Sequence, residues 1–180
     1  MQVELAAAPP PPGLGFAAAT PEAVVLLEGA PTAAAPSVEC RHGTAWFVRR
    51  LGVHLLARLT DRPDRSIAEC LADAVAETAA LHGGRCDLAD PAKAPAAAVL
   101  AARVHGGSLE YLVFGAGQRL RLERVEGPAL VVADRGGVGH PVGASPRAAE
   151  RARTGFEPLA GLHALAVPDG GAGHLLRALV

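Results

Sequence analysis

Between residues 43 and 132 the hydrophobic period of this chain changes once, from three-and-four to two, and that change restricts it to an α+β architecture. From about Gly43 to Leu59 the apolar residues Val48, Leu51, Leu55 and Leu59 recur at helical spacing, while Arg49, Arg50 and Arg58 fall off that line. This predicts an amphipathic helix, stopped by Asp61-Arg62-Pro63-Asp64. Ser66-Ile67-Ala68-Glu69 has the residues of a capping box, and Ile67, Leu71, Ala74, Val75, Thr78 and Leu81 mark the buried face of a second helix that Gly83-Gly84 ends. Beyond about Ala96 come short strand-like segments, Val99 to Val104, Leu109 to Phe114, the alternating Arg119 to Val125 and Ala129 to Val132. They are separated by His105-Gly106-Gly107-Ser108, Gly115-Ala116-Gly117-Gln118 and Glu126-Gly127-Pro128, which predicts a four-strand antiparallel meander with one covered face.

The flanks complete the pattern. Ala23 to Leu27 is a β-branched and aliphatic run, expected to be a buried strand. Before it, an Ala/Pro stretch holds Pro9 to Pro12, which can neither continue a helix nor donate to a sheet ladder, so residues 1–22 are expected to be poorly ordered and residues 23–180 to form one domain. Ser145-Pro146 predicts the start of a third helix and Gly155 its end. A strand follows from about Leu162 to Val167, and Leu175, Leu176, Leu179 and Val180 begin what reads as a last helical stripe. Strand, two helices, four strands, helix, strand and helix suit two packed antiparallel β-sheets flanked by helices.

Composition narrows the function classes. Hydrophobic residues are 50% of the 180 but aromatic ones only 3%, so aliphatic side chains must fill the core, with Trp46, Phe47, Tyr111 and Phe114 as isolated large pieces. Net charge is -1, and the 17 basic residues, of which only Lys93 is lysine, are dispersed, so there is no electrostatic footprint for nucleic acid. The joint excess of Ala, Gly, Pro and Arg reads as coding bias rather than as phosphate recognition. No window approaches 18 uninterrupted apolar residues and the amino terminus has no positive n-region, so no membrane association is expected. Three cysteines, an odd number without a CxxC pair, point to a reducing compartment, and the expected location is the cytoplasm.

Two strand-end turns carry the candidate chemistry. Val24-Val25-Leu26-Leu27-Glu28-Gly29 and Leu165-Ala166-Val167-Pro168-Asp169-Gly170 each run apolar to a carboxylate followed by glycine. Such a strand delivers its acid to the rim of a sheet, and two rims brought together make a site for a hard cation. Taken alone, either turn is also ordinary strand-end chemistry.

In their order along the chain, several motifs resemble the type 2C (PPM-type) metal-dependent protein phosphatases, in particular a short, Ala- and Arg-rich actinobacterial branch. The carriers are Glu28-Gly29, Cys40-Arg41-His42-Gly43-Thr44-Ala45-Trp46, the capped helix from Asp61 to His82, and Cys86-Asp87-Leu88-Ala89-Asp90-Pro91. They continue with Leu109 to Gly115, Val131-Val132-Ala133-Asp134-Arg135 and Val167-Pro168-Asp169-Gly170. The resemblance implies an αββα sandwich with a binuclear manganese or magnesium centre at one end, where a metal-bound hydroxide attacks phosphoserine or phosphothreonine. It assigns the metal to Glu28, Gly29 and Asp169, with Asp134 and Gly170 supporting, and implies a phosphoprotein or other protein partner. The chain departs from the pattern in four places. Glu28 replaces an aspartate, Gly115-Ala116-Gly117 replaces Gly-Asp-Ser, no Asn-x-Asp element occurs in Leu14 to Glu22, and Val180 precedes the family's last metal aspartate, so the fold is expected to be incomplete at its carboxyl end. These departures set a rival reading, an inactive pseudophosphatase-like module that binds without turnover.

Two further readings carry less weight. Cys40 with His42, and His82 with Cys86, offer four donors to a tetrahedral zinc, but their spacings are not CxxC, and packing around the start of the first helix is the preferred reading. Amino-terminal-nucleophile hydrolases share the sandwich architecture, but they need an exposed Ser, Thr or Cys, which Met1-Gln2 does not offer.

Overall fold

The computed structural model of this chain describes residues 2–7, 14–29, 40–83, 86, 88, 94–115, 118–134, 145–167 and 174–179. Two five-stranded antiparallel sheets organise them. The first contains β1 (Gln2–Ala7), β10 (His174–Leu179), β9 (Leu162–Val167), β6 (Arg119–Arg124) and β7 (Leu130–Ala133), in that spatial order. The second contains β2 (Gly15–Ala19), β3 (Ala23–Gly29), β4 (Ala97–His105), β5 (Ser108–Phe114) and β8 (Arg153–Pro158).

Two apolar layers hold the sheets and helices together. Between the sheets, Val24, Leu26, Leu100, Ala102, Leu109, Tyr111 and Val113 meet Leu120, Leu122, Val132, Leu162 and Leu165. On the other face of the second sheet, Val25, Leu27, Val99, Ala101, Leu112 and Phe114 pack under α1 (Gly43–Asp61) and α2 (Ile67–Ala80) through Phe47, Val48, Leu51, Leu55, Ile67, Leu71 and Val75. The continuous apolar run of β3 follows from this position, since its residues are buried alternately in each layer. Among the described residues no helix covers the outer face of the first sheet, where Arg119, Arg121, Val131 and His163 are exposed.

The helix pair forms as its sequence pattern dictates. Ser66 Oγ accepts the Glu69 N–H at 3.3 Å and Glu69 Oε2 accepts the Ser66 N–H at 2.9 Å, which completes the capping box. The Ser66 N–H, and the Ser66 hydroxyl that donates to the same Oε2 at 2.8 Å, hold the Glu69 carboxyl below the ordinary glutamate value. Ser66→Ala is expected to lower stability by about 1 kcal/mol in urea unfolding at neutral pH. Because the folded Glu69 value is depressed, its share of the box is present above the unfolded value and is lost as pH falls through the folded one. The Ser66→Ala deficit should therefore shrink in acid.

Four expectations are corrected. The meander is two hairpins in different sheets: β4 and β5 pair in the second sheet, and the chain then crosses so that β6 and β7 pair in the first. A period-two pattern reads the same in either sheet, which is why the crossing at 115–118 is silent in sequence. The third helix is only a 3₁₀ turn, Pro146–Arg151, and Gly155 is inside β8, opposite Tyr111, where a Cβ would run into the tyrosine ring. The stripe at Leu175, Leu176 and Leu179 belongs to a strand, β10, between β1 and β9. Leu81, expected on the buried helix face, lies past the end of α2 and is exposed. Strands β1 and β2 lie within residues 1–22, and Pro9 to Pro12 fall outside the described residues. No described helix is long and apolar enough to cross a membrane.

Candidate functional site

One end of the sandwich collects the strand ends that the sequence marked. The register pairs Gly29 with Ala97, Val99 with Phe114, Arg119 with Ala133 and Arg121 with Ala166. Glu28 at the end of β3, Gly115 after β5, Gln118 before β6 and Asp134 after β7 therefore share this rim with the carboxyl end of β9. Asp169 and Gly170 lie beyond β9, outside the described residues.

Two hydrogen bonds stitch the rim across the sheets. Gln118 Nε2 donates to Glu28 Oε2 at 2.7 Å, and the Gly115 N–H donates to Asp134 Oδ2 at 2.7 Å. Gln118 is 5% exposed, so its amide is a fixed group rather than a solvated one. Gly115 has φ +107°, and a Cβ there would lie 2.6 Å from Ala98 Cβ, so glycine is required where the chain leaves one sheet for the other. The Gly29 N–H donates to the Leu14 carbonyl at 2.6 Å, and of the Gly29 backbone only the carbonyl oxygen is a group that could ligate a cation.

The donors at this rim are hard oxygens, the right chemistry for manganese or magnesium. Their number is small. Among the described residues Glu28 and Asp134 are joined by no third carboxylate in a group that could close on one ion. Gln118 was not singled out in the sequence, and a glutamine preceding an alternating strand carries no signal that would single it out.

A second constellation lies beside the first turn of α1. Cys40, His42, His82 and Cys86 bring one donor atom each to within 4.8 Å of one another, a set that could hold a metal ion. His42 Nδ1 is 3.9 Å from Cys40 Sγ and 3.8 Å from Cys86 Sγ. His82 is 2% exposed; its Nδ1 is 3.0 Å from the Thr78 carbonyl, and its buried Nε2 has no hydrogen-bond partner. Trp46 closes one side, stacked on His42 at 4.5 Å between ring centroids and edge-on to His82 at 4.9 Å. Desolvation, with Cys40 alongside, holds the Cys86 thiol above the ordinary cysteine value. The sequence offers these four as donors to a tetrahedral zinc, with packing as the preferred reading, and the structure brings their donor atoms together.

No protein-family model and no curated protein matches the sequence. A solved structure is similar in fold: a bacterial serine phosphatase bearing a point mutation superposes with a TM-score of 0.62 over 99% of this chain and 97% of that one, at 9% identity. The fold is phosphatase-like. Two antiparallel sheets with a helical layer are what this comparison shares, and identity this low carries the fold alone.

Proposed function

We propose that this chain is a PPM-type phosphatase-like domain that hydrolyses phosphoserine or phosphothreonine with manganese or magnesium held at the rim by Glu28 and Asp169. The observation that supports it most is the placement of Glu28 at the end of β3, where Gln118 of the other sheet donates to it, on the rim that also holds the carboxyl end of β9. When bound, the cation supplies charge for the phosphoryl oxygens and activates water. Gln118 fixes the Glu28 carboxylate, and the Gly115 N–H fixes Asp134, so neither acid has to be ordered when a cation arrives.

One observation favours a second reading, binding of a phosphoprotein without turnover. The carboxylate that stands for a bridging ligand is longer by one methylene, and one of its oxygens already accepts from a neutral buried amide.

Hydrolysis of a generic aryl phosphate by the full chain, with and without manganese, separates the two. The expected result is manganese-dependent turnover that Asp169→Ala and Glu28→Gln each lower by about 100-fold or more. No turnover above the metal-free control, with no manganese bound at millimolar concentration, would overturn the hydrolase reading and leave the binding module.

A further inference from the structure

The geometry points to a structural zinc site of the Cys2His2 type, formed by Cys40, His42, His82 and Cys86, that ties the start of α1 to the end of α2. It is independent of the carboxylate rim and of any phosphatase activity. Zinc bonds of about 2.3 Å to sulfur and 2.0–2.1 Å to nitrogen place the ligand atoms of a tetrahedron about 3.3–3.8 Å apart. The two sulfur to Nδ1 distances, 3.9 and 3.8 Å, are within a small adjustment of those edges, and all four ligand atoms lie within 4.8 Å of one another. Four protein donors leave no open position, which marks a structural rather than a catalytic zinc.

His82 supplies the second, independent sign. A buried imidazole nitrogen without a partner costs the desolvation of its lone pair, so native structures seldom leave one. Here Nδ1 meets the Thr78 carbonyl, to which only an N–H can donate, so in the neutral imidazole the bare lone pair is on Nε2. A metal-binding histidine is oriented in the same way, by a carbonyl that takes the proton of its other nitrogen. A zinc ion on Nε2 removes the cost.

The location gives the site its role. α1 and α2 are a hairpin whose turn, 62–66, is clamped to the sheet by Arg103 and Glu110. Its other end has no such clamp among the described residues, and there His42 is the residue that caps α1 while His82 lies two residues past the end of α2. Thr44, in the first turn of α1, lies against Gly29 of the rim, so a zinc at this end would also fix the helix that backs the candidate active site. A surface pocket of about 290 Å³ lined by Arg41, His42, Leu81 and His82 gives the ion its path in.

Cobalt(II) titration of the metal-free, reduced full chain is the test, because it reads ligand type and geometry without activity. The expected spectrum is that of a tetrahedral S2N2 site with thiolate charge-transfer bands, saturating at about one equivalent and bleached by zinc. Emission of Trp46, the only tryptophan in the chain, should change along the same isotherm. Chain purified from zinc-supplemented medium should hold about one zinc. Cys86→Ser and His82→Gln should weaken zinc binding by more than about 100-fold, since loss of an orienting partner alone costs 10–100-fold. Cys70→Ala, which alters a cysteine in the core between the helices, should leave the zinc in place. An octahedral cobalt spectrum without charge transfer, zinc retained by the Cys40→Ser/Cys86→Ser variant, or a Cys40–Cys86 disulfide in protein purified with reductant would each overturn the site. If the variants fail to fold, the wild-type cobalt spectrum decides alone.

Discussion

Glu110→Ala is expected to destabilise this protein by about 3–5 kcal/mol, because it leaves a buried arginine without its counter-ion. Arg103 and Glu110 face each other across β4 and β5, 3% and 5% exposed, on the side of the second sheet that the helices cover. The guanidinium donates to the Glu110 carboxylate and to two carbonyls of the interhelical turn, Arg62 O at 3.1 Å and Arg65 O at 2.7 Å. Glu110 Oε1 in turn accepts the N–H of Ile67, the first residue of α2, at 2.8 Å. One pair therefore neutralises itself and satisfies backbone groups of a turn that would otherwise be orphaned against the sheet.

An apolar replacement of the whole pair discriminates the cause. Arg103→Met with Glu110→Leu removes both charges, and for a simple ion pair it would be close to neutral. Here it strands the Ile67 N–H, as Glu110→Ala also does, at about 1–3 kcal/mol, and releases the Arg62 and Arg65 carbonyls in a turn that water reaches, so the double variant should lie between wild type and Glu110→Ala. Urea unfolding at an unchanged m-value measures the series. Equal losses in the single and double variants would mean that packing, not the uncompensated charge, sets the cost.

Local chemistry explains which features were legible in the sequence. Helices α1 and α2 were, because their apolar lines and the Ser66 to Glu69 box act within a few residues of the chain. Strand ends were legible for the same reason, and Glu28-Gly29 is at the end of β3 as its apolar run required. What failed depended on partners far away in sequence. Cap and proline at Ser145-Pro146 do start a helical turn, but Gly155 is needed by Tyr111, not by a helix end. The Leu175, Leu176 and Leu179 spacing fits a helix or a strand equally, and pairing of its backbone with β1 and β9 decides. Gln118 reaches Glu28 across 90 residues, and His42 meets His82 only because two helices fold back on one another.

Gly29→Ala is expected to cost about 1–3 kcal/mol, the usual cost of overfilling a packed site. Its φ lies outside the left-handed region, so alanine would meet no backbone strain there. The obstacle is contact. An added Cβ would lie 2.7 Å from Thr44 Cγ2, 3.0 Å from the Leu14 carbonyl oxygen and 3.2 Å from Val48 Cγ2. Thr44 and Val48 belong to α1 and are β-branched, so neither can turn aside freely in a helix. The glycine after the rim carboxylate is thus explained by a helix that approaches it, whatever Glu28 binds. Thr44→Ala removes the nearest obstacle and leaves the Leu14 oxygen, which is fixed by its 2.6 Å bond from the Gly29 N–H. The Gly29→Ala/Thr44→Ala variant should therefore recover part of the loss but not all of it, with a coupling energy of about 0.5–3 kcal/mol in a double-mutant cycle. Zero coupling would show that Thr44 does not press on the rim, and that the glycine answers to the Leu14 oxygen and Val48 instead.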